Sequence, residues 1–139
     1  MLIKVRILSA QKFIGDFEAD EVVLPGKTGQ IGALNNHTGL FTALDIGLVR
    51  MKFKGKWIPV IVSGGFAEIS RNRIVVLATG TEEFEGVSLK KATEELNEAI
   101  RAFTNMEITP EKSSFDLSVD LKKATAQLLA LNYLSLNSL

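Results

Sequence analysis

Gly26-Lys27-Thr28 is the tripeptide that closes a phosphate-binding loop. In such a loop, backbone N–H groups cradle phosphates and the lysine reaches the terminal ones. That chemistry needs another glycine five positions before Gly26, and the residue there is Glu21. No apolar helix follows at once, so the tripeptide reads as a turn between strands. His37, the single histidine, is the candidate for a general base. Thr38, Thr42 and Asp45 lie near it in sequence, but no motif joins them into a nucleophile, base and orienting group. A loop histidine of this kind reads as a hydrogen-bonding interface residue. The chain has no cysteine, which excludes disulfides, thiolate metal sites and cysteine nucleophiles. One histidine builds no His-rich metal cluster; a carboxylate-only site stays open, although no dense Asp/Asn/Glu loop is present. Gly64-Gly65 would let a ligand approach the backbone closely, or would mark a bulge or tight turn. Trp57 and Tyr133 read as packing residues, not as a carbohydrate platform. These residues point to an interaction module and leave a small-ligand-binding β-domain as the alternative.

The composition supports that division. With 46% hydrophobic residues and 23% charged ones, the chain is globular. Its 139 residues make one ordinary domain or two small ones. Lysine plus arginine equals aspartate plus glutamate at 16 each, so there is no electrostatic footprint for nucleic acid and no basic stripe for a membrane. No apolar run approaches the roughly 18 residues of a membrane span. Met1 to Leu8 alternates polar and apolar residues, which reads as a strand and not as a signal peptide. Any membrane association is expected through a partner.

The elements that must carry these residues change character near residue 86. Before it, strand patterns dominate. Ile3, Val5 and Ile7 alternate with Lys4 and Arg6; Val49, Met51 and Phe53 alternate with Arg50, Lys52 and Lys54. Gly55 turns that run into Trp57 to Val62, a hairpin that Gly64-Gly65 then breaks. Phe66 to Ser70 and Arg73 to Thr79 read as a second hairpin around Arg71-Asn72, and Val22 to Leu24 ends at Pro25-Gly26. Residues 25–47 between these runs read as a glycine-rich irregular segment that exists for contact. Short strands with frequent turns predict a β-sandwich or small barrel.

After residue 86 the period is helical. Leu89, Ala92, Leu96, Ala99, Ile100 and Phe103 form one stripe, with Ser88 placed to cap it. Asn105 and Pro110 interrupt the pattern, and a second stripe follows at Leu117, Leu121, Ala124, Leu128 and Leu131. Two helices joined by a short polar link read as an antiparallel hairpin. The acidic run Glu82-Glu83-Phe84-Glu85 solvates the junction ahead of it. From Ala124 to Leu139 no side chain is charged, and Leu128, Leu129, Leu131, Leu134, Leu136 and Leu139 nearly encircle the axis. Such a surface is either buried within the chain or covered by a partner.

Gly29-Gln30-Ile31-Gly32-Ala33-Leu34-Asn35-Asn36-His37 resembles the G-x-x-G-x-L-x-x-H segment of the epsilon subunit of F-type ATP synthases. Thr42 to Arg50 continues the likeness, and Ser63-Gly64-Gly65-Phe66-Ala67-Glu68-Ile69 resembles that family's G-G-F-A block. These spaced blocks cover nearly all of the first 80 residues, and the helical hairpin matches in plan. In the tail, Asp120-Leu121-Lys122-Lys123-Ala124 and Asn132-Tyr133-Leu134-Ser135 are similar to epsilon chains of red-lineage algal plastids.

The resemblance implies a β + α fold, with an N-terminal β-sandwich over residues 1–84 and a C-terminal antiparallel two-helix hairpin over 85–139. It implies a non-catalytic rotor subunit that binds no cofactor and no metal. The sandwich would join the gamma subunit to the c-ring, and the hairpin, packed through Leu89, Leu96, Phe103, Leu121, Leu128 and Leu131, would modulate ATP hydrolysis. Gln30, Ile31, Gly32, Ala33 and Leu34 match positions at the c-ring; Ser9, His37 and Thr42 match positions facing gamma. The hairpin would reach the alpha and beta subunits through basic residues, of which the second helix offers Lys122 and Lys123. Some bacterial members bind ATP where the first helix begins, through an Asp and an Arg. Here Ser88 and Lys91 stand in those places, without the aspartate's charge or the arginine's planar fork. The expected location is the stromal side of the plastid thylakoid membrane, with a cyanobacterial or other bacterial membrane as the alternative.

Overall fold

The computed structural model describes residues 2–34 and 39–137. Eight strands come first: β1 (Ile3–Ser9), β2 (Phe13–Ala19), β3 (Glu21–Gly26), β4 (Gly29–Leu34), β5 (Leu40–Phe53), β6 (Lys56–Ser70), β7 (Arg73–Ala78) and β8 (Thr81–Glu82). Two helices follow, α1 (Leu89–Thr104) and α2 (Ser114–Asn137). The strands run in the order β2-β1-β7-β6-β5-β3-β4, with β8 on β6, and only β1 and β7 pair in parallel.

Alternation explains most strands. In β1, Ile3, Val5 and Ile7 are buried while Lys4 and Arg6 stay in water. Lys54 and Gly55 both take positive φ, at 52° and 78°, in the tight turn between β5 and β6. The two long strands then make the sandwich. Leu44 pairs with Gly65 and Ile46 with Ser63 in one unbroken register, and between them the ladder skips Asp45 opposite the positive-φ Gly64, where the strands bend. On one side of that bend, β5 and β6 continue the layer β7-β1-β2; on the other they join β3, β4 and β8. Both layers fill one core that includes Ile3, Ile7, Leu24, Met51, Ile69 and Ile74.

Two sequence expectations need correction here. Gly64-Gly65 does not break the strand. β6 runs through it as a kink, with φ of 88° at Gly64 and 131° at Gly65. The glycines permit a bend that turns one strand from one layer into the other. Of residues 25–47, read as irregular, those from Leu40 onward belong to β5, and residues 29–34 form an edge strand paired with β3 through the turn at Lys27-Thr28. The alternation of this edge strand, with Ala33 buried between exposed Gly32 and Leu34, is hidden in the sequence because two of its positions are glycines without side chains.

The helices add a second core on the outer face of the bent strands. Leu48 and Ile61 of the sandwich meet Phe84, Ala92 of α1, and Ala126, Ala130 and Leu131 of α2. Ser88 caps α1 by accepting a hydrogen bond from the Lys91 N–H at 3.1 Å. Ser113 and Asp116 cap α2 reciprocally: the Ser113 N–H donates to Asp116 Oδ2 at 2.9 Å and the Asp116 N–H to Ser113 Oγ at 3.2 Å. α2 lies on β5 and β6 with one face and on α1 with another, which uses part of its apolar surface; Leu129 and Leu136 stay exposed, and Leu139 lies outside the described residues. α1 rests on α2. Ala92 is its buried residue, Leu96 is half-buried, and Leu89 and Phe103 remain 44% and 39% exposed. On α2, Leu131 is buried, while Leu121 and Leu128 are half-buried.

Candidate functional site

Three surfaces carry the residues singled out in the sequence. The first is the edge strand β4. Gln30, Gly32 and Leu34 are exposed, Ile31 is half-buried, and Ala33 points into the core. Strand geometry forces this split, because neighbouring side chains face opposite ways. Ala33 therefore offers an outside partner its backbone alone. Gln30 is tied down: its Oε1 accepts from Arg50 Nη2 at 3.1 Å. Arg50 Nη1 donates to the Tyr133 hydroxyl at 2.5 Å, and the guanidinium carbon lies 5.6 Å from the Tyr133 ring centre.

The second surface is the outer face of the layer β2-β1-β7-β6-β5. Ser9 lies at the end of β1, where its hydroxyl accepts from the N–H groups of Gln11 and Lys12 and donates to the Lys12 carbonyl. It closes the turn into β2. Thr42 is half-buried on β5 and pairs with the buried Ala67, so it faces the opposite side of this layer from Ala43 and Phe41. His37 lies outside the described residues. Sequence reading missed what lies across this face. Phe13, Leu8, Leu77, Phe66 and Ala43 are successive cross-strand partners, one from each of five strands. Phe41 stacks on Phe66 with ring centres 5.6 Å apart. Phe13, Phe41, Phe66 and Leu77 are each at least half exposed. At about 4.8 Å per strand this apolar row is roughly 19 Å long. Its signal was present in the sequence: Phe66 and Leu77 occupy the phase of their strands that should be polar, next to the buried Ala67, Val76 and Ala78.

The third surface is the seam between the helices and the sandwich. Lys122 Nζ lies 3.0 Å from Asp45 Oδ2, and Lys123 Nζ lies 3.0 Å from Glu82 Oε1. Both basic residues of α2 are thus paired within the chain. Near the end of α2, Tyr133 packs on Trp57 at 6.1 Å between ring centres. The Asn137 amide pairs with the backbone of Trp57, accepting from its N–H at 3.2 Å and donating to its carbonyl. Beside the seam, the cleft between α1 and α2 is lined by Glu94, Glu95, Glu98 and Asp120 together with Lys91 and Lys123. Those carboxylates oppose a bound polyphosphate, and the Ser88 oxygen is already engaged as a cap. Among the described residues, no three His, Cys, Asp or Glu side chains cluster to hold a metal ion.

Asp45 gives the seam a pH dependence. Burial opposes its charge, but the Lys122 hydrogen bond, the Ile46 N–H and the charges of Lys122 and Lys27 outweigh it. They hold the carboxyl below the ordinary aspartate value of about 3.9. A lowered folded value means that the stabilisation is complete above the unfolded pKa and is lost as pH falls through the folded one. The Asp45 contribution to helix docking is therefore expected to be flat at neutral pH and to decay below about pH 4. The emission of Trp57, the single tryptophan, reads the docked end of α2. Comparison with Asp45→Asn isolates this carboxylate from the other acids. An acid transition below pH 4 that is identical in the two chains would refute the assignment.

The comparisons with known proteins agree with this architecture. The ATP synthase, Delta/Epsilon chain, beta-sandwich domain family matches residues 2–84. The chloroplastic ATP synthase epsilon chain of Thalassiosira pseudonana is 50% identical over 135 residues, covering 97% of this chain and 100% of the relative. That of Phaeodactylum tricornutum is 48% identical over the same span, and that of the red alga Gracilaria tenuistipitata var. liui is 35% identical. A chain in the cryo-EM structure of Euglena gracilis mitochondrial ATP synthase (OSCP/F1/c-ring, rotational state 1) superposes with a TM-score of 0.73 at 19% identity. It covers 94% of this chain and 81% of that one, a likeness of fold. No helix among the described residues is long and apolar enough to cross a membrane. A sandwich, a two-helix hairpin leaning on it, and half-identity over almost the full length of both chains have one explanation: the chain belongs to the chloroplast-type epsilon chains of F-type ATP synthase, the non-catalytic subunits of its central stalk.

Proposed function

We propose that this subunit joins gamma to the c-ring through two different faces of one sandwich and restrains ATP hydrolysis through its hairpin. The outer face of the layer β2-β1-β7-β6-β5 seats on gamma, and Ser9, His37 and Thr42 are further contacts with gamma. The edge strand β4 meets the c-ring through Gln30, Gly32, Leu34 and the backbone of Ile31 and Ala33. Residues 1–84 act as the rotor coupling and residues 85–139 as the regulatory unit, which reaches the alpha and beta subunits when it leaves the sandwich. The site of action is the stromal side of the thylakoid membrane.

The observation that carries this reading is the apolar row. Leu8, Phe13, Phe66 and Leu77 stand in register across four neighbouring strands, with Phe41 stacked on Phe66. An exposed apolar patch this continuous on a small domain marks a protein interface. Aromatic anchors at the centre of an interface commonly carry about 2 kcal/mol or more each. Phe66→Glu is therefore expected to weaken gamma binding at least about thirty-fold while leaving the fold intact, because Phe66 faces water in the free chain. Binding of the isolated chain to gamma, followed by titration, tests it; unchanged affinity would count against this face. For the c-ring, Leu34→Cys in this cysteine-free chain supplies a single attachment point on β4. A short cross-linker in the assembled enzyme is expected to join it to a c subunit, and its failure beside a positive control removes β4 from that role.

A further inference from the structure

Arg50 stands where three elements meet. It lies on β5, which is held by β3 on one side and β6 on the other. Its guanidinium forks, with Nη2 on Gln30 of the edge strand β4 and Nη1 on Tyr133 of α2. Among the described residues β4 has a single strand neighbour, whereas α2 is held by side-chain contacts, so the two groups bridged by Arg50 belong to the less constrained elements. A groove lined by Pro25, Gln30, Ile46, Leu121, Thr125 and Leu129 runs between the same two elements. A planar guanidinium with an acceptor on each side is fixed in rotation; with one acceptor gone it can turn, and its grip on the other weakens.

We propose that Arg50 is a positioning residue that couples the outer edge of β4 to the docked state of α2. A partner that draws Gln30 away releases one arm of the fork, weakens the hold on Tyr133 and favours departure of the hairpin. By linkage, departure of the hairpin weakens the order of Gln30 and so alters the same contact. The identity of that partner as the c-ring rests on the reading of β4 given above; the coupling itself does not.

The test is a double-mutant cycle on the free full-length chain, read by hydrogen exchange of the amides in the last three turns of α2. Gln30→Ala removes one acceptor, and Tyr133→Phe removes the other while keeping the ring. Each is expected to raise exchange about threefold, in line with the loss of one hydrogen bond. The two together are expected to give about the effect of one, since both act through the same guanidinium. Effects that multiply to about ninefold would overturn the coupling. Gln30→Glu restores an acceptor and adds a charge-assisted bond, so its exchange is expected at or below that of the unsubstituted chain. If it behaves like Gln30→Ala, the Arg50 contact is not the operative one. Trp57 emission gives an independent reading of the same variants. Coupling without cross-linking at Leu34→Cys keeps this inference and rejects the c-ring; cross-linking with multiplicative effects does the reverse.

Discussion

Gly65→Ala is expected to lower the stability of the sandwich by about 3–5 kcal/mol, a large part of the total for a domain of this size. A Cβ at this position would lie 2.1 Å from the Leu77 carbonyl oxygen and 2.9 Å from Ala78 Cα. Both neighbours are backbone of β7, and Gly65 pairs directly with Ala78 in the ladder. Relief of the clash would open that ladder beside the core residues Val76 and Ala78. The φ of 131° adds strain that an alanine cannot avoid. Gly32→Ala is the matched control: nothing lies within 4 Å of the added carbon and its φ is unexceptional. It should change stability by less than about 0.5 kcal/mol. Urea denaturation of the two variants, compared at equal m-value, decides the matter. A Gly65→Ala midpoint close to that of the parent chain would refute the steric argument.

Removal of everything after Lys123 is expected to have the second-largest effect, and to divide the molecule at its two cores. The deletion takes away Ala126, Ala130 and Leu131, and with them the cover over Leu48, Ile61 and Phe84. Burial of one large apolar side chain is worth about 1.5–3 kcal/mol, so the second core cannot survive the loss. α1 then has nothing to lean on. A free helix of its length is marginal in water, so its helicity should disappear as well. The sandwich core contains no residue of either helix and should remain folded. Far-UV circular dichroism should therefore lose most of its helical signal while cooperative unfolding of the β-domain persists, and a hydrophobic dye should bind the bared face. Lys122→Ala with Lys123→Ala should do much less, because each lysine takes part in a partly exposed ion pair worth about 1 kcal/mol or less. If the lysine pair costs more than the deletion, apolar docking is not what holds the hairpin.

These expectations also show where the sequence was readable. The short strands were legible because their period of two is undisturbed, as in Ile3, Val5 and Ile7. The start of α1 was legible because Ser88 is a local signal that acts locally. The continuity of β6 was not, since Gly64-Gly65 carries the same signal whether the chain turns back or bends. The strand at residues 29–34 was hidden for a related reason: Gly29 and Gly32 leave no side chain to show a phase. The apolar encirclement of α2 left two readings open, and the fold shows one helix serving two neighbours at once. The seam contacts had no local trace at all. Arg50 meets Tyr133 across 83 positions and Lys122 meets Asp45 across 77, separations that only the folded topology connects. Leu89 and Phe103 mark the opposite limit, because a stripe predicts a face, and half of that face on α1 stays in water.

The pairing of Asn137 with Trp57 bears on the life of the subunit before assembly. Beyond the reach of β8, the outer edge of β6 has no strand beside it among the described residues, and the Asn137 amide takes the place of one at Trp57. The same helix covers Leu48 and Ile61. A newly made chain awaiting its partners would otherwise present a bare strand edge next to an oily face, the combination that recruits other chains into aggregates. With the hairpin docked, one helix masks both hazards, and they are uncovered together when it lifts. On the reading that the hairpin restrains the assembled enzyme, the same element doubles as a guard against premature association, withdrawn where another surface replaces it.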